Sequence, residues 1–175
     1  MSIVAQANPA DEVVPGIYLG SRYAALNENW LRQHKIQATF NCTKDIPFDP
    51  AVKRQFRVPV DDSLQEPDIR NLEHWSYELV YIIATEHRKA QQNGGAVLIH
   101  CAAGMQRSAA SVAMYLIATR GMTTDQAVAY IRSKREIAFK PSINFEKSIR
   151  GFEAAFNNEV RPALGGTATA ALPHF

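Results

Sequence analysis

Cysteine is scarce: Cys42 and Cys101 are the only two in 175 residues. That excludes a disulfide framework, and an unstapled chain points to a reducing, intracellular setting, expected to be the cytoplasm. A dominant charge is missing too. Nineteen Lys and Arg stand against seventeen Asp and Glu, a net charge of +2, and so small an excess gives no ground for a nucleic-acid partner. No apolar run approaches the roughly 20 residues of a membrane span. Asp11 and Glu12 interrupt a start that has no signal-like stretch, so no membrane partner is expected. His34, His74, His87 and His174 lie away from Cys or carboxylates at metal-ligand spacing, so neither a metal nor a cofactor is expected.

What is present suits one globular domain. Apolar residues make up 46% and charged residues 21%, near the usual values for folded domains. Residues 1–12 are small and polar without a clear period, and the end from Arg161 is rich in Ala, Gly, Thr and Pro. A flexible segment over 1–12 and a flexible tail over 161–175 are therefore expected to flank a folded span at 13–160. Within it, IYLG (17–20), ATFNC (38–42), FRVPV (56–60) and AVLIH (96–100) read as strands, the last two as central ones.

Helical stretches alternate with these runs. Ile69, Leu72, Trp75, Leu79, Ile82 and Ile83 follow Pro67 at helical spacing, and Gly94-Gly95 closes the pattern. Further helices are predicted from Ser108 to about Arg120 before Gly121, after a cap at Thr123 or Thr124, and near 143–157. The expected fold is α/β, a central, mostly parallel sheet flanked by helices. Oligomeric state is not legible.

The stretch VLIHCAAGMQRSAASVAMYLIATRG (97–121) carries the chemistry. An apolar strand ends at Cys101, a short turn holds Gly104, and a helix follows. In α/β sheets this is where ligands sit, at the carboxyl end of a strand and the amino end of a helix. The amides of Ala102, Ala103, Gly104, Met105, Gln106 and Arg107 can curl around a phosphate, and the Arg107 guanidinium can clamp two of its oxygens. The same field lowers a thiol pKa from about 8.5 to roughly 3.5–7.5, which makes Cys101 a candidate nucleophile. Ser108 is placed to donate a hydrogen bond to that sulfur, or simply to cap the helix.

His100 to Ser108 resembles the HCxxGxxRS signature of cysteine-dependent protein phosphatases, the dual-specificity branch in particular. PGIYLGSRYAA (15–25) and IQATFNCT (36–43) are similar to the family's opening strands. The resemblance implies a dual-specificity phosphatase catalytic domain over 13–160, a phosphocysteine mechanism without metal, and a phosphorylated protein substrate carrying phosphotyrosine and often phosphoserine or phosphothreonine. It also implies a general-acid aspartate after the FRVPV strand, with Asp62 favoured and Asp61 the runner-up. His100 is expected to support the loop rather than transfer protons.

Two departures stand out. Gln106 replaces a common Ser and is expected to add a polar side chain at the pocket rim. In PSINFEKSI (141–149), Ser142 and Ser148 stand where the family carries Asn and Gln, which puts support of the loop by this segment in question. Rival functions are a phosphoinositide or RNA 5′-phosphatase on the same scaffold, a phosphoprotein-binding module with little activity, and, last, a sulfur-transfer domain. Cys42 is expected to be a buried core thiol, with a disulfide to Cys101 as the other reading.

Overall fold

The computed structural model describes residues 3–164. Its centre is a five-stranded sheet in the order β1-β2-β5-β3-β4, with β1 at Ala10–Val14, β2 at Ile17–Gly20, β3 at Ile36–Asn41, β4 at Arg54–Arg57 and β5 at Ala96–His100. Strands β2, β5, β3 and β4 run parallel, and β1 joins β2 antiparallel, so the sheet is mostly parallel as expected. All five residues of β5 are buried, the signature of a strand covered on both faces. Its carboxyl end therefore opens at the middle of the sheet edge.

Helices cover the sheet. The 27-residue α4 (Glu66–Gln92) begins with Pro67 in its first turn, where a missing N–H is no loss, and ends against Asn93-Gly94. Helix α5 (Arg107–Arg120) is buried along nearly all its length and stops where Gly121 turns left-handed at φ 66°. Thr123 caps α6 (Thr124–Lys134) in a reciprocal capping box with Gln126, worth about 1 kcal/mol. Helix α7 (Glu146–Ala155) closes the layer through Ile149 and Phe152. A π-helical turn (Phe156–Val160) and the short α8 (Arg161–Ala163) follow it.

Three expectations are corrected. The FRVPV run is not a central strand: β4 covers Arg54–Arg57 at the sheet edge. Pro59 has no N–H to give to a ladder, and after Val58 bonds Asn41 O the chain turns away, with Val60 N donating to Val58 O. Of the segment 1–12, expected to be irregular, residues 3–12 are largely regular, because α1 (Ile3–Ala7) leads into β1, where Asp11 pairs with Leu19. Short polar runs like this one become regular when a neighbouring strand supplies the partners. Arg161, taken as the start of the tail, is buried and donates through Nη2 to Ile117 O at 3.0 Å. The rest of the tail, 165–175, lies outside the described residues. Two short helices, α2 (Arg22–Ala25) and α3 (Glu28–Gln33), had no sequence expectation.

Candidate active site

Strand β5 delivers Cys101 to the sheet edge between its two neighbours. Cys101 N donates to Gly20 O at 3.3 Å on one side, and Cys42 N donates to His100 O at 2.8 Å on the other. The chain then turns sharply through 102–106 into α5. Four successive carbonyls of this turn are tied outward: Ala102 O accepts from Arg22 N (3.1 Å) and Ala103 O from Arg135 Nη2 (3.1 Å). Gly104 O accepts from Arg135 Nε (2.8 Å) and Met105 O from Phe139 N (2.8 Å). With their carbonyls held behind, the amides of the turn face the opposite way, and those of Met105 and Ser108 reach the Cys101 sulfur. Gly104 makes the turn possible. Its φ is 67°, and a Cβ there would sit 2.5 Å from the Gly20 carbonyl.

Burial works against ionising Cys101. The Arg107 charge, the Ser108 hydroxyl at 3.1 Å and the two amides outweigh it, and the thiol is held below its ordinary value. Against a thiolate, Ser108 must be the donor. Arg107 opens α5 and donates through Nη1 to Val60 O at 2.9 Å. Its Nε is buried and makes no hydrogen bond to protein, so an oxyanion beside the sulfur would satisfy a donor that otherwise costs about 1–3 kcal/mol. His100 donates from Nδ1 to the Cys101 carbonyl at 3.3 Å, and burial pushes its pKa down to about 4. A neutral imidazole of this kind braces the strand end.

The acidic pair splits. Asp61 is half-buried and ion-paired with Lys44 at 2.9 Å, while its backbone N–H donates to Asp68. Asp62 instead accepts from Asn144 Nδ2 at 2.9 Å, beside the segment that borders the 102–106 turn. That difference separates two adjacent carboxylates that the sequence leaves open.

Gln106 does not line a rim, contrary to expectation. It is buried, and its carboxamide reads three backbone groups: Nε2 donates to Lys140 O (3.2 Å) and Ser142 O (2.8 Å), and Oε1 accepts from Asn144 N (3.0 Å). A longer side chain reaches where a Ser would not. The 140–144 segment therefore does support the turn despite Ser142, and through Asn144 it extends to Asp62. Ser148 donates to Ile69 O at 2.7 Å and serves packing between α7 and α4.

Arg135 and Asn144 were not anticipated from sequence, since their partners lie 31 or more residues away and only Asn144's two-residue distance from Ser142 hinted at a displaced carboxamide. Cys42 is buried and 3.5 Å from Ser111 Oγ. Both cysteines are free thiols. Among the described residues no three His, Cys, Asp or Glu side chains group to hold a metal ion, and no helix is long and apolar enough to cross a membrane.

Residues 17–155 match the family described as dual specificity phosphatase, catalytic domain. The chain is 35% identical over 138 residues to dual specificity protein phosphatase 1 of Arabidopsis thaliana, covering 79% of this chain and 66% of that one. It is 29% identical over 158 residues to human dual specificity protein phosphatase 16, which spans 89% of this chain but only 22% of the relative. Among solved structures, human DUSP28 superposes with a TM-score of 0.68 at 29% identity, over 85% of this chain and 95% of that one.

Proposed function

The chain belongs to the dual specificity phosphatase catalytic-domain family, and from that premise we propose that it is a protein phosphatase working through a phosphocysteine. The substrate class is phosphotyrosine, together with phosphoserine and phosphothreonine, in a protein. One observation carries the reading: the Ser108 hydroxyl, the amides of Met105 and Ser108 and the Arg107 charge all act on the Cys101 sulfur.

In the first step the Cys101 thiolate attacks phosphorus, an S–P bond forms and the P–O bond to the substrate oxygen breaks. Asp62 gives its proton to that leaving oxygen, which matters because a phenol has a pKa near 10. Arg107 and the amides of Ala102, Ala103, Gly104, Met105, Gln106 and Arg107 hold the non-bridging oxygens and the charge that spreads over them. In the second step ionised Asp62 takes a proton from water, the oxygen attacks phosphorus, and the S–P bond breaks. Ser108 donates to the departing sulfur, and inorganic phosphate leaves. These side chains handle every proton and charge, so turnover is expected in chelator. A reactive thiol kept free suits a reducing, cytoplasmic setting.

The test compares wild type, Cys101→Ser and Asp62→Ala on phosphotyrosine, phosphothreonine and phosphoserine peptides, a phosphoinositide panel and triphosphorylated RNA, all in chelator. Expected are peptide turnover by wild type, none by Cys101→Ser with binding retained, and a loss of about 10²–10⁴-fold for Asp62→Ala on phosphotyrosine. Faster turnover of lipid or RNA, or binding of peptides without turnover by wild type, would overturn the reading.

A further inference from the structure

Arg135 carries its charge where charge is costly. Its side chain is 0% exposed, and the guanidinium is divided three ways: Nε to Gly104 O at 2.8 Å, Nη2 to Ala103 O at 3.1 Å and Nη1 to Asp11 Oδ2 at 2.8 Å. Two of these bonds hold the back of the phosphate turn. The third leaves the matched family span, because Asp11 lies on β1, ahead of residues 17–155.

We propose that Asp11 is a positioning residue of the phosphate turn: from β1 its carboxylate aims the Arg135 guanidinium, and Arg135 keeps the Ala103 and Gly104 carbonyls turned away from the anion. The consequence for catalysis rests on the phosphatase reading; the geometry does not.

A buried cation without a counter-charge is unfavourable, and two neutral carbonyls do not replace a carboxylate. Without Asp11, the guanidinium must shift toward water. The planar fork moves as one body, so Nε and Nη2 leave their carbonyls together. Freed carbonyls can then rotate toward the site, presenting an oxygen where an oxyanion needs an N–H. The tether has a rigid base, since Asp11 is registered on Leu19 and the end of the same β2 strand, Gly20, abuts Gly104. Asp11 itself is 36% exposed, so truncating it opens no hole in the core.

The experiment compares wild type with Asp11→Ala and Asp11→Asn by three readouts. These are melting temperature, the pH midpoint of Cys101 alkylation by iodoacetamide, and the concentration of inorganic phosphate that protects Cys101 from alkylation. In folded Asp11→Ala the midpoint should rise, because the turn amides no longer converge on the sulfur. Phosphate protection and kcat on an aryl phosphate should fall about 10- to 100-fold. Asp11→Asn keeps an acceptor for Nη1 and should recover most of the protection. Unchanged midpoint and protection in Asp11→Ala would overturn the assignment whatever the melting temperature does. A midpoint that falls would overturn it too, since Asp11 would then act only as a negative charge on the thiol. Should Asp11→Ala not fold, Arg135→Lys replaces it: one ammonium cannot serve both carbonyls and Asp11, and unchanged phosphate protection would again refute the role. Wild type that binds phosphate but turns over no phosphoester defeats the phosphatase reading and leaves the Asp11 measurements valid.

Discussion

Cys42 and Cys101 differ far more than their surroundings first suggest. Both thiols are buried at the ends of parallel strands, and both lie against a serine of α5, Ser111 at 3.5 Å and Ser108 at 3.1 Å. Those serines are three residues apart, on one face of the helix. Yet burial pushes the Cys42 thiol up to about 12, whereas Cys101 is held below its ordinary value. The serines are spent differently. Ser111 also donates to Arg107 O at 3.0 Å, so its one proton is drawn away from a sulfur 3.5 Å off, while Ser108 lies closer to its own, at 3.1 Å. The Arg107 charge bears on both thiols, and the amides of Met105 and Ser108 add their donation to the Cys101 sulfur. A buried cysteine beside a hydroxyl is thus inert by default, and reactivity is a property of the turn that follows it.

Arg107→Lys strikes this comparison hardest. Losing the planar guanidinium should cost about 10²–10³-fold in kcat. It should also move the alkylation midpoint of Cys101 upward, with Cys42 still unreactive at neutral pH. A midpoint that stays in place would mean that the amides alone separate the two thiols.

His100 sharpens the contrast, as a titratable group at the same strand end whose pKa burial lowers to about 4 from 6.5. The unfolded chain takes up this proton near pH 6.5 and the folded chain only near pH 4, so in that window the unfolded state binds more protons. Stability should therefore fall as pH drops from about 6.5 to about 4, by at most about 3 kcal/mol, and level off below. Urea melts of wild type and His100→Gln across that range check it; parallel curves would reject the assignment.

The smallest effect separates the two serines. Ser108→Ala should slow departure of sulfur about tenfold and let phosphocysteine accumulate, visible by intact-protein mass spectrometry after an acid quench. Ser111→Ala should leave turnover within about twofold. Equal effects would erase the distinction drawn between the two hydroxyls.

What could be read from sequence was what lies close together in it. Strand, cysteine, turn, arginine and helix form one continuous run from Ala96 to Arg120, and Pro67 and Gly121 mark helix ends by rules that need only neighbours. The errors fall on long-range relations. FRVPV has a central strand's composition, and only the sheet order places it at an edge. Gln106 looked like a rim residue because its partners lie 34 to 38 residues onward. The tie between Asp11 and Arg135 spans 124 residues, and no local pattern announces it. Asp61 and Asp62 are chemically equivalent until Lys44 and Asn144 take one each.

Gly20 and Gly104 meet across 84 positions of chain, and at both a methyl group would strike backbone within 3.0 Å or less. The turn after Cys101 thereby seats on the sheet where Gly104 has no side chain. Adding one carbon at Gly104 would press on the Gly20 carbonyl and lift the turn off its seat, whereas one at Gly20 would strike Ala10, Leu98 and the Pro9 carbonyl, so both positions should tolerate little replacement.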